Sequence, residues 1–226
     1  MGAGRIAIVV GLAALACRRE PPAVDDQSDT ALATQLRATA ADVALVLGRQ
    51  VAAAGGEARP ATVQIVDGDV DTACGRTADL IGFYCERSAT IYLGLDPYRR
   101  LRRAIGAAAH RRQALIVAHE YGHHVQALLG IATDPPLTGV GEDQARAAAR
   151  ALELQAECMA GVWARHTSRP GFATTAALDR LVAVGPEAAG AEAAGRHGTA
   201  PEQQQALRHG HARGTIAACV APPLPW

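Results

Sequence analysis

The sequence has no lysine, few aromatic residues and no excess of charge of either sign. All 22 basic residues are arginine, and the 22 acidic residues bring the formal net charge to zero. A chain without excess positive charge gives no reason to expect nucleic acid as a main partner. Aromatic residues make up only 4% of the chain, whereas hydrophobic residues, many of them alanine, make up 49%. We therefore expect a helix-rich core built from small side chains.

The N-terminus also lacks an apolar run long enough to cross a membrane. Arg5 precedes an apolar run over residues 6–16, which as a helix would rise about 16 Å, against about 30 Å for the hydrocarbon core of a bilayer. This pattern is typical of a signal peptide. Ala14-Leu15-Ala16 matches a secretory cleavage site, and Cys17 directly after it matches a bacterial lipoprotein signal. We predict lipidation of Cys17 at the bacterial cell envelope, with simple secretion and an uncleaved anchor as alternatives.

The length of 226 residues suits one domain of ordinary size with a terminal extension. We divide the chain into a signal peptide over 1–17, a flexible linker over 18–30, a folded domain over 31–221 and a tail over 222–226. Hydrophobic periodicity predicts a mainly helical α+β domain with a small sheet or hairpin. The expected helices cover 30–54, 107–129 and 142–165, and the expected strands cover 62–66, 81–85 and 90–95. Six arginines between residues 99 and 112 indicate either a solvated face or a contact with an anionic surface.

Four cysteines remain after Cys17, an even number that suits disulfides in an exported protein. Cys74 and Cys85 flank an interval with turn-forming glycines, so we predict that they staple a local hairpin. Cys158 and Cys219 then pair by elimination. The alternative for the second pair is two buried free thiols.

The segment "AHEYGHHVQALLG", residues 118–130, contains the motif H-E-x-x-H. Chance alone would place this motif in about one of a hundred such chains. On a helix, His119 and His123 point the same way about 6 Å apart along the axis, so both imidazoles can reach one Zn²⁺. Glu120 lies one step round the helix, where it can act as the base on a metal-bound water. His124 points elsewhere, and we predict a surface or supporting position for it.

A catalytic zinc needs a third protein ligand, and "ALELQAECMAGVWARH" offers one. Glu153 and Glu157 are four residues apart on the second long helix and share a face. One carboxylate is expected to bind zinc while the other accepts a hydrogen bond from a ligating imidazole. A solvated pair is the ordinary alternative, but flanking residues such as Met159 and Trp163 favour a partly buried position.

Several blocks, in their order and spacing, resemble the bacterial neutral zinc metallopeptidases over most of residues 32–219. These blocks are "PATVQIVDGDVDTACG", "FYCERSATIYLGL", "AHEYGHHVQALLG", "ELQAECMAGVWA" and "HGTAPEQQQALRHG". Glu153 and Glu157 also resemble the E-x-x-x-D motif of gluzincin prenyl-protein and heat-shock peptidases, with Glu157 in the place of the usual Asp. By that resemblance Glu153 is the zinc ligand and Glu157 supports a ligand. His197 matches the family's H-G-T block, as a stabiliser of the oxyanion or as a helix-capping or packing histidine.

The resulting hypothesis is a zincin-like endopeptidase with one zinc ion per chain and two long zinc-ligand helices. Zinc would be held by His119, His123 and Glu153, and Glu120 would be the general base. A protein or peptide substrate would lie extended along an exposed edge strand, for which "TIYLGL" is the candidate. The alternative is a zinc-binding but non-proteolytic envelope protein, a binding or scaffold module. A lipid on Cys17 would make the bacterial membrane a second partner.

Overall fold

A computed structural model describes residues 28–131, 141–183 and 197–221. The predicted signal peptide with Cys17, most of the predicted linker and the predicted tail lie outside the described residues. Within the part that is described, no helix is both long enough and apolar enough to span a membrane.

The architecture is the mainly helical α+β fold predicted from the periodicity. Its first helix starts at Asp29, two residues before the predicted domain boundary, and Ser28 caps it by accepting a hydrogen bond from the amide of Ala31. Short 3₁₀ turns cover Glu86–Ser88 and Gly106–Ala108. The other elements are α1 (Asp29–Ala53), β1 (Thr62–Val66), β2 (Val70–Thr72), β3 (Gly75–Thr77), β4 (Gly82–Cys85), β5 (Thr90–Gly94), α2 (Leu95–Ile105), α3 (Ala109–Leu128), α4 (Glu142–His166), α5 (Thr175–Ala183), α6 (Ala200–Arg213) and α7 (Ala217–Val220).

The three-stranded sheet has the order β1-β5-β4, with β1 parallel and β4 antiparallel to β5. The strand β5 is therefore central, and all five of its residues are buried. The prediction that "TIYLGL" forms the exposed edge strand is wrong. An apolar run with little alternation is typical of a strand covered on both faces, and in this sheet β1 and β4 take the two edges.

The helices pack closely around α4, which lies between α3 and α6. Glycines make this approach possible because they have no side chain. A Cβ added to Gly161 of α4 would collide with the backbone carbonyl oxygen of Leu207 in α6, and one added to Gly210 would collide with that of Cys158. On the other side of α4, a Cβ on Gly122 of α3 would lie 2.8 Å from the Cα of Ala156.

Two of the arginines in the 99–112 stretch are paired with aspartates of the same chain. Arg99 contacts Asp29 at the start of α1, at 2.7 Å, and Asp67 after β1, at 3.0 Å. Arg100 contacts Asp96 and Asp79. These internal ion pairs tie α2 to α1 and to the sheet, so they leave little reason to assign Arg99 and Arg100 to an anionic surface.

Both predicted disulfides are present. Cys74 is bonded to Cys85, and Cys158 is bonded to Cys219. The first joins the β2–β3 turn to the end of β4. The second joins the middle of α4 to α7 near the end of the described chain.

Replacing Gly161 by alanine is expected to lower the free energy of unfolding by at least about 1–3 kcal/mol, because the new methyl group meets a backbone atom that cannot move aside. Urea unfolding measures the change. Gly48→Ala in α1 is the matched control, since its Cβ would meet only Ala58 Cβ at 3.7 Å. That variant should be about 0.5–1 kcal/mol more stable through its helix propensity. Similar changes in the two variants would contradict the packing argument.

Replacing Cys158 by serine is expected to cost about 4 kcal/mol of stability, because the bond closes a loop with a sequence separation of 61 residues. Cys219→Ser should cost the same. Since both changes break one bond, the double variant should be no less stable than either single variant. Thermal unfolding of the three variants checks this, and additive losses would show that the cysteines act separately.

Candidate metal centre

Three imidazoles converge on a single carboxylate oxygen, Oε2 of Glu153. His119 Nε2 lies 3.1 Å from it, His123 Nε2 lies 3.5 Å from it, and His197 Nδ1 lies 2.7 Å from it. The first two histidines come from α3, Glu153 comes from α4, and His197 lies just before α6. The four residues predicted from three separate sequence blocks are therefore brought together at one point.

The close contact between α3 and α4 places these groups opposite each other. Gly122 lies between the two histidines of α3 along the sequence, and Ala156 lies between the two glutamates of α4. The Cβ position of Gly122 is within 2.8 Å of both the Cα and the carbonyl oxygen of Ala156. Any larger residue at position 122 would push the imidazoles away from the carboxylates.

Glu157 contacts the far side of the His119 ring. Its Oε2 lies 3.1 Å from His119 Nδ1, so this nitrogen donates to the carboxylate and Nε2 faces Glu153. Burial opposes a charged imidazole, but the hydrogen bonds to Glu153 and Glu157 outweigh it and raise the pKa of His119. Burial likewise opposes the charge of Glu153, but the hydrogen bonds from the three imidazoles lower its pKa well below the ordinary range. Glu153 is thus an ionised, electron-rich oxygen donor.

Gln126 supports His123 in the same way, and sequence reasoning missed it. Its Oε1 accepts a hydrogen bond of 2.8 Å from His123 Nδ1. Its Nε2 donates to the carbonyl oxygen of Leu152 and to Oε1 of Gln155, both at 2.8 Å. The side chain is fully buried. The feature of the sequence that could have identified Gln126 is its position three residues after His123, on the same face of α3.

Glu120 is buried beside the imidazoles and against the sheet. Burial raises its pKa, and this effect exceeds the opposite effect of His119 and His123. A Cβ added to Gly82 in the edge strand β4 would lie 2.8 Å from Glu120 Oε1. The carboxylate therefore occupies space that a side chain at position 82 would take.

His124 is buried, which excludes the surface position, one of the two positions predicted for it. Its Nε2 donates to the carbonyl oxygen of Arg59 at 2.7 Å, and its Nδ1 accepts from the hydroxyl of Tyr84 at 3.1 Å. Burial lowers its pKa, which favours the neutral ring that this bonding pattern requires. His124 ties α3 to β4 and to the segment before β1. His211 is also buried, and its Nε2 contacts the carbonyl oxygen of Phe172 at 3.1 Å.

The distances between donor atoms select a set of possible metal ligands that differs slightly from the set predicted from the sequence. Among the described residues, His119, Glu153 and His197 form a group whose donor atoms all lie within 4.8 Å of one another. His123 is not in that group, although its Nε2 is 3.5 Å from Glu153. Imidazole nitrogens and a carboxylate oxygen are the donors that zinc takes in catalytic sites, so both sets suit the same ion.

A profile of the family described as "Putative neutral zinc metallopeptidase" matches residues 14–221. The chain belongs to this family. Membership confirms the resemblance seen in the sequence blocks, and it implies zinc as the metal for the His and Glu cluster.

The curated relatives are bacterial proteins whose names state no activity. "Uncharacterized protein YpfJ" of Escherichia coli (strain K12) is 32% identical over 164 residues, which cover 66% of this chain and 56% of YpfJ. "Uncharacterized protein Mb2605" of Mycobacterium bovis and "Uncharacterized protein Rv2575" of Mycobacterium tuberculosis are each 32% identical over 183 residues, which cover 70% of this chain and 60% of theirs. The chain thus spans less than two thirds of the length of these relatives. No solved structure matches it.

Replacing Gln126 by leucine is expected to weaken zinc binding by about 10- to 100-fold, because the His123 ring loses the acceptor that orients it. Competition with a chelator measures the dissociation constant. Gln113→Leu is the matched control, since Gln113 is also buried in α3 but contacts Gln35 and the carbonyl oxygen of Tyr98. It should lose stability yet bind zinc within about threefold of the wild type. Equal weakening in both variants would show damage to the helix rather than loss of orientation.

Proposed function

We propose that this protein is a zinc-dependent endopeptidase. The observation that carries the proposal is the buried carboxylate of Glu120, which lies between the imidazole cluster and an edge strand. A zinc site with a purely structural role has no need of a base at that position. Family membership supports a zinc peptidase, and the local geometry supports the roles that follow.

In this proposal His119, His123 and Glu153 hold one zinc ion per chain. A zinc ion bound there would lower the pKa of a water molecule and polarise a carbonyl group. Glu157 and Gln126 keep the two imidazoles in the tautomer that turns Nε2 towards Glu153. The ionised state of Glu153 suits a donor that must compensate the charge of a cation.

Glu120 is the general base, and afterwards the general acid. It takes a proton from the attacking water and delivers it to the leaving amine, so one carboxyl group must hold the proton for part of the cycle. The raised pKa of Glu120 suits this shuttle, because a carboxyl group of ordinary pKa holds a proton poorly near neutral pH.

The outer edge of β4, rather than β5 as predicted from the sequence, is the candidate binding site for an extended substrate. Among the described strands only β5 pairs with β4, so the other edge of β4 can accept an extended peptide by strand addition. Gly82 of β4 lies against Glu120. A peptide backbone added to this edge would run past the base, and backbone pairing would bind it with little dependence on sequence.

The two disulfides indicate an exported protein. We further propose that residues up to Cys17 form a lipoprotein signal and that acylated Cys17 anchors the domain to the cell envelope through the linker. The support is the sequence around Cys17. Simple secretion would leave the same folded domain without the membrane as a partner.

Replacing Glu120 by glutamine should leave zinc bound and lower kcat for casein hydrolysis by about 10²- to 10⁴-fold, because the amide cannot accept the proton. Replacing His123 by alanine should lose both zinc and activity, because it removes a ligand. Metal analysis of the purified proteins and a casein assay measure the two quantities.

Glu142→Gln at the exposed start of α4 is the control and should match the wild type. Loss of zinc from Glu120→Gln would show that Glu120 is a ligand rather than a base. A wild-type protein that binds zinc but cleaves neither casein nor a proteome-derived peptide mixture would support the non-proteolytic envelope protein instead.

A further inference from the structure

His197 lies on neither of the two zinc-ligand helices, yet it makes the shortest imidazole contact in the cluster. Its Nδ1 is 2.7 Å from Glu153 Oε2, compared with 3.1 Å for His119 and 3.5 Å for His123. It is also a member of the group whose donor atoms all lie within 4.8 Å of one another. A histidine that merely caps or packs against a helix would not need to face the donor oxygen.

The spacing of these atoms suits a common tetrahedral centre. Two donors that are each about 2.0–2.1 Å from a zinc ion in tetrahedral geometry lie about 3.4 Å apart. The three distances to Glu153 Oε2, from 2.7 to 3.5 Å, lie on both sides of that value. Each of the three nitrogens therefore lies at about the distance from this oxygen that a shared zinc ion requires, and the donor atoms of His119, Glu153 and His197 also lie within 4.8 Å of one another.

The backbone around His197 is held in place by the start of α6. Gly198 has a φ of +80°, a conformation that favours glycine, and its Cβ position lies 3.0 Å from Leu154 Cδ2, next to Glu153 on α4. Gln203 Nε2 donates to the carbonyl oxygens of His197 and Gly198 at 3.2 and 3.3 Å. The turn that carries the imidazole is thus bonded to α6 and lies close to α4.

The same segment is also tied to α4 by its helix cap. Thr199 and Glu202 form a capping box, in which Glu202 Oε2 accepts from the Thr199 amide at 2.8 Å. Glu202 also forms an ion pair with Arg150 of α4. The block "HGTAPEQ" therefore positions His197 next to Glu153 of α4.

We infer that His197 is a fourth protein ligand of the metal in the resting protein, which gives a donor set of three imidazoles and one carboxylate. The inference rests on the zinc site of the proposed function. A tetrahedral site with four protein ligands has no position for water, so one ligand must leave before the attacking water can bind during turnover. His197 is the donor suited to leave, because 46% of its side chain is exposed, compared with 13–15% for the other three donors.

X-ray absorption at the zinc edge tests this assignment without relying on activity. The zinc-loaded wild type should show three imidazoles and one carboxylate. His197→Ala should still bind one zinc ion, with two imidazoles and an additional solvent oxygen. Loss of an outer partner of a ligand typically costs 10- to 100-fold in metal affinity, so loss of this ligand should raise the zinc dissociation constant by at least about 10-fold.

His209→Ala is the control, because His209 lies on α6 and contacts the carbonyl oxygen of Ala218. It should keep three imidazoles on zinc. Two imidazoles in the wild type would overturn the inference and leave the proposed peptidase intact, and this spectrum decides the matter even if His197→Ala does not fold. Failure of the wild type to bind zinc would overturn the inference and the proposed function together.

Discussion

The contact between α3 and α4 at Gly122 is the constraint on which the rest of the site depends. Two imidazoles on one helix and two carboxylates on the other can meet only if the helix backbones approach more closely than side chains usually allow. Gly122 against Ala156 provides that approach at the level between the paired residues. The distance of 3.1 Å from His119 to each glutamate follows from it. The packing of this helix pair in the core therefore also determines the distances between the side chains of the site.

The helix α4 connects this contact to the rest of the domain. On its other side, Gly161 and Gly210 allow an equally close approach of α6, and the bond between Cys158 and Cys219 fastens α7 to the same helix. His197 precedes α6, so its position relative to Glu153 is set by this second interface. A disturbance of the α4–α6 packing would change the candidate metal centre without touching either histidine of the H-E-x-x-H motif.

Polar partners outside the cluster determine how the donors are presented. Glu157 binds Nδ1 of His119, and Gln126 binds Nδ1 of His123, so each ring keeps Nε2 for Glu153. The residue types differ, but both are acceptors buried at the α3–α4 interface. The Glu157 contact was expected because its spacing from Glu153 is visible in the sequence. The Gln126 contact depends on Leu152 and Gln155 of another helix, which no local pattern connects to it.

The sequence by itself determined those features that depend on local periodicity and composition. The two long helices and the common face of each histidine and glutamate pair could be predicted because residues four apart on a helix share a face whatever surrounds them. The short strands could be predicted from their apolar runs, and the two cysteine pairs from the glycines between Cys74 and Cys85 and by elimination. Only the tertiary structure decided the order of the strands, the burial of His124 and the approach of His197 to Glu153. The geometry of these features depends on how separate elements pack against one another, which the periodicity of a single element does not contain.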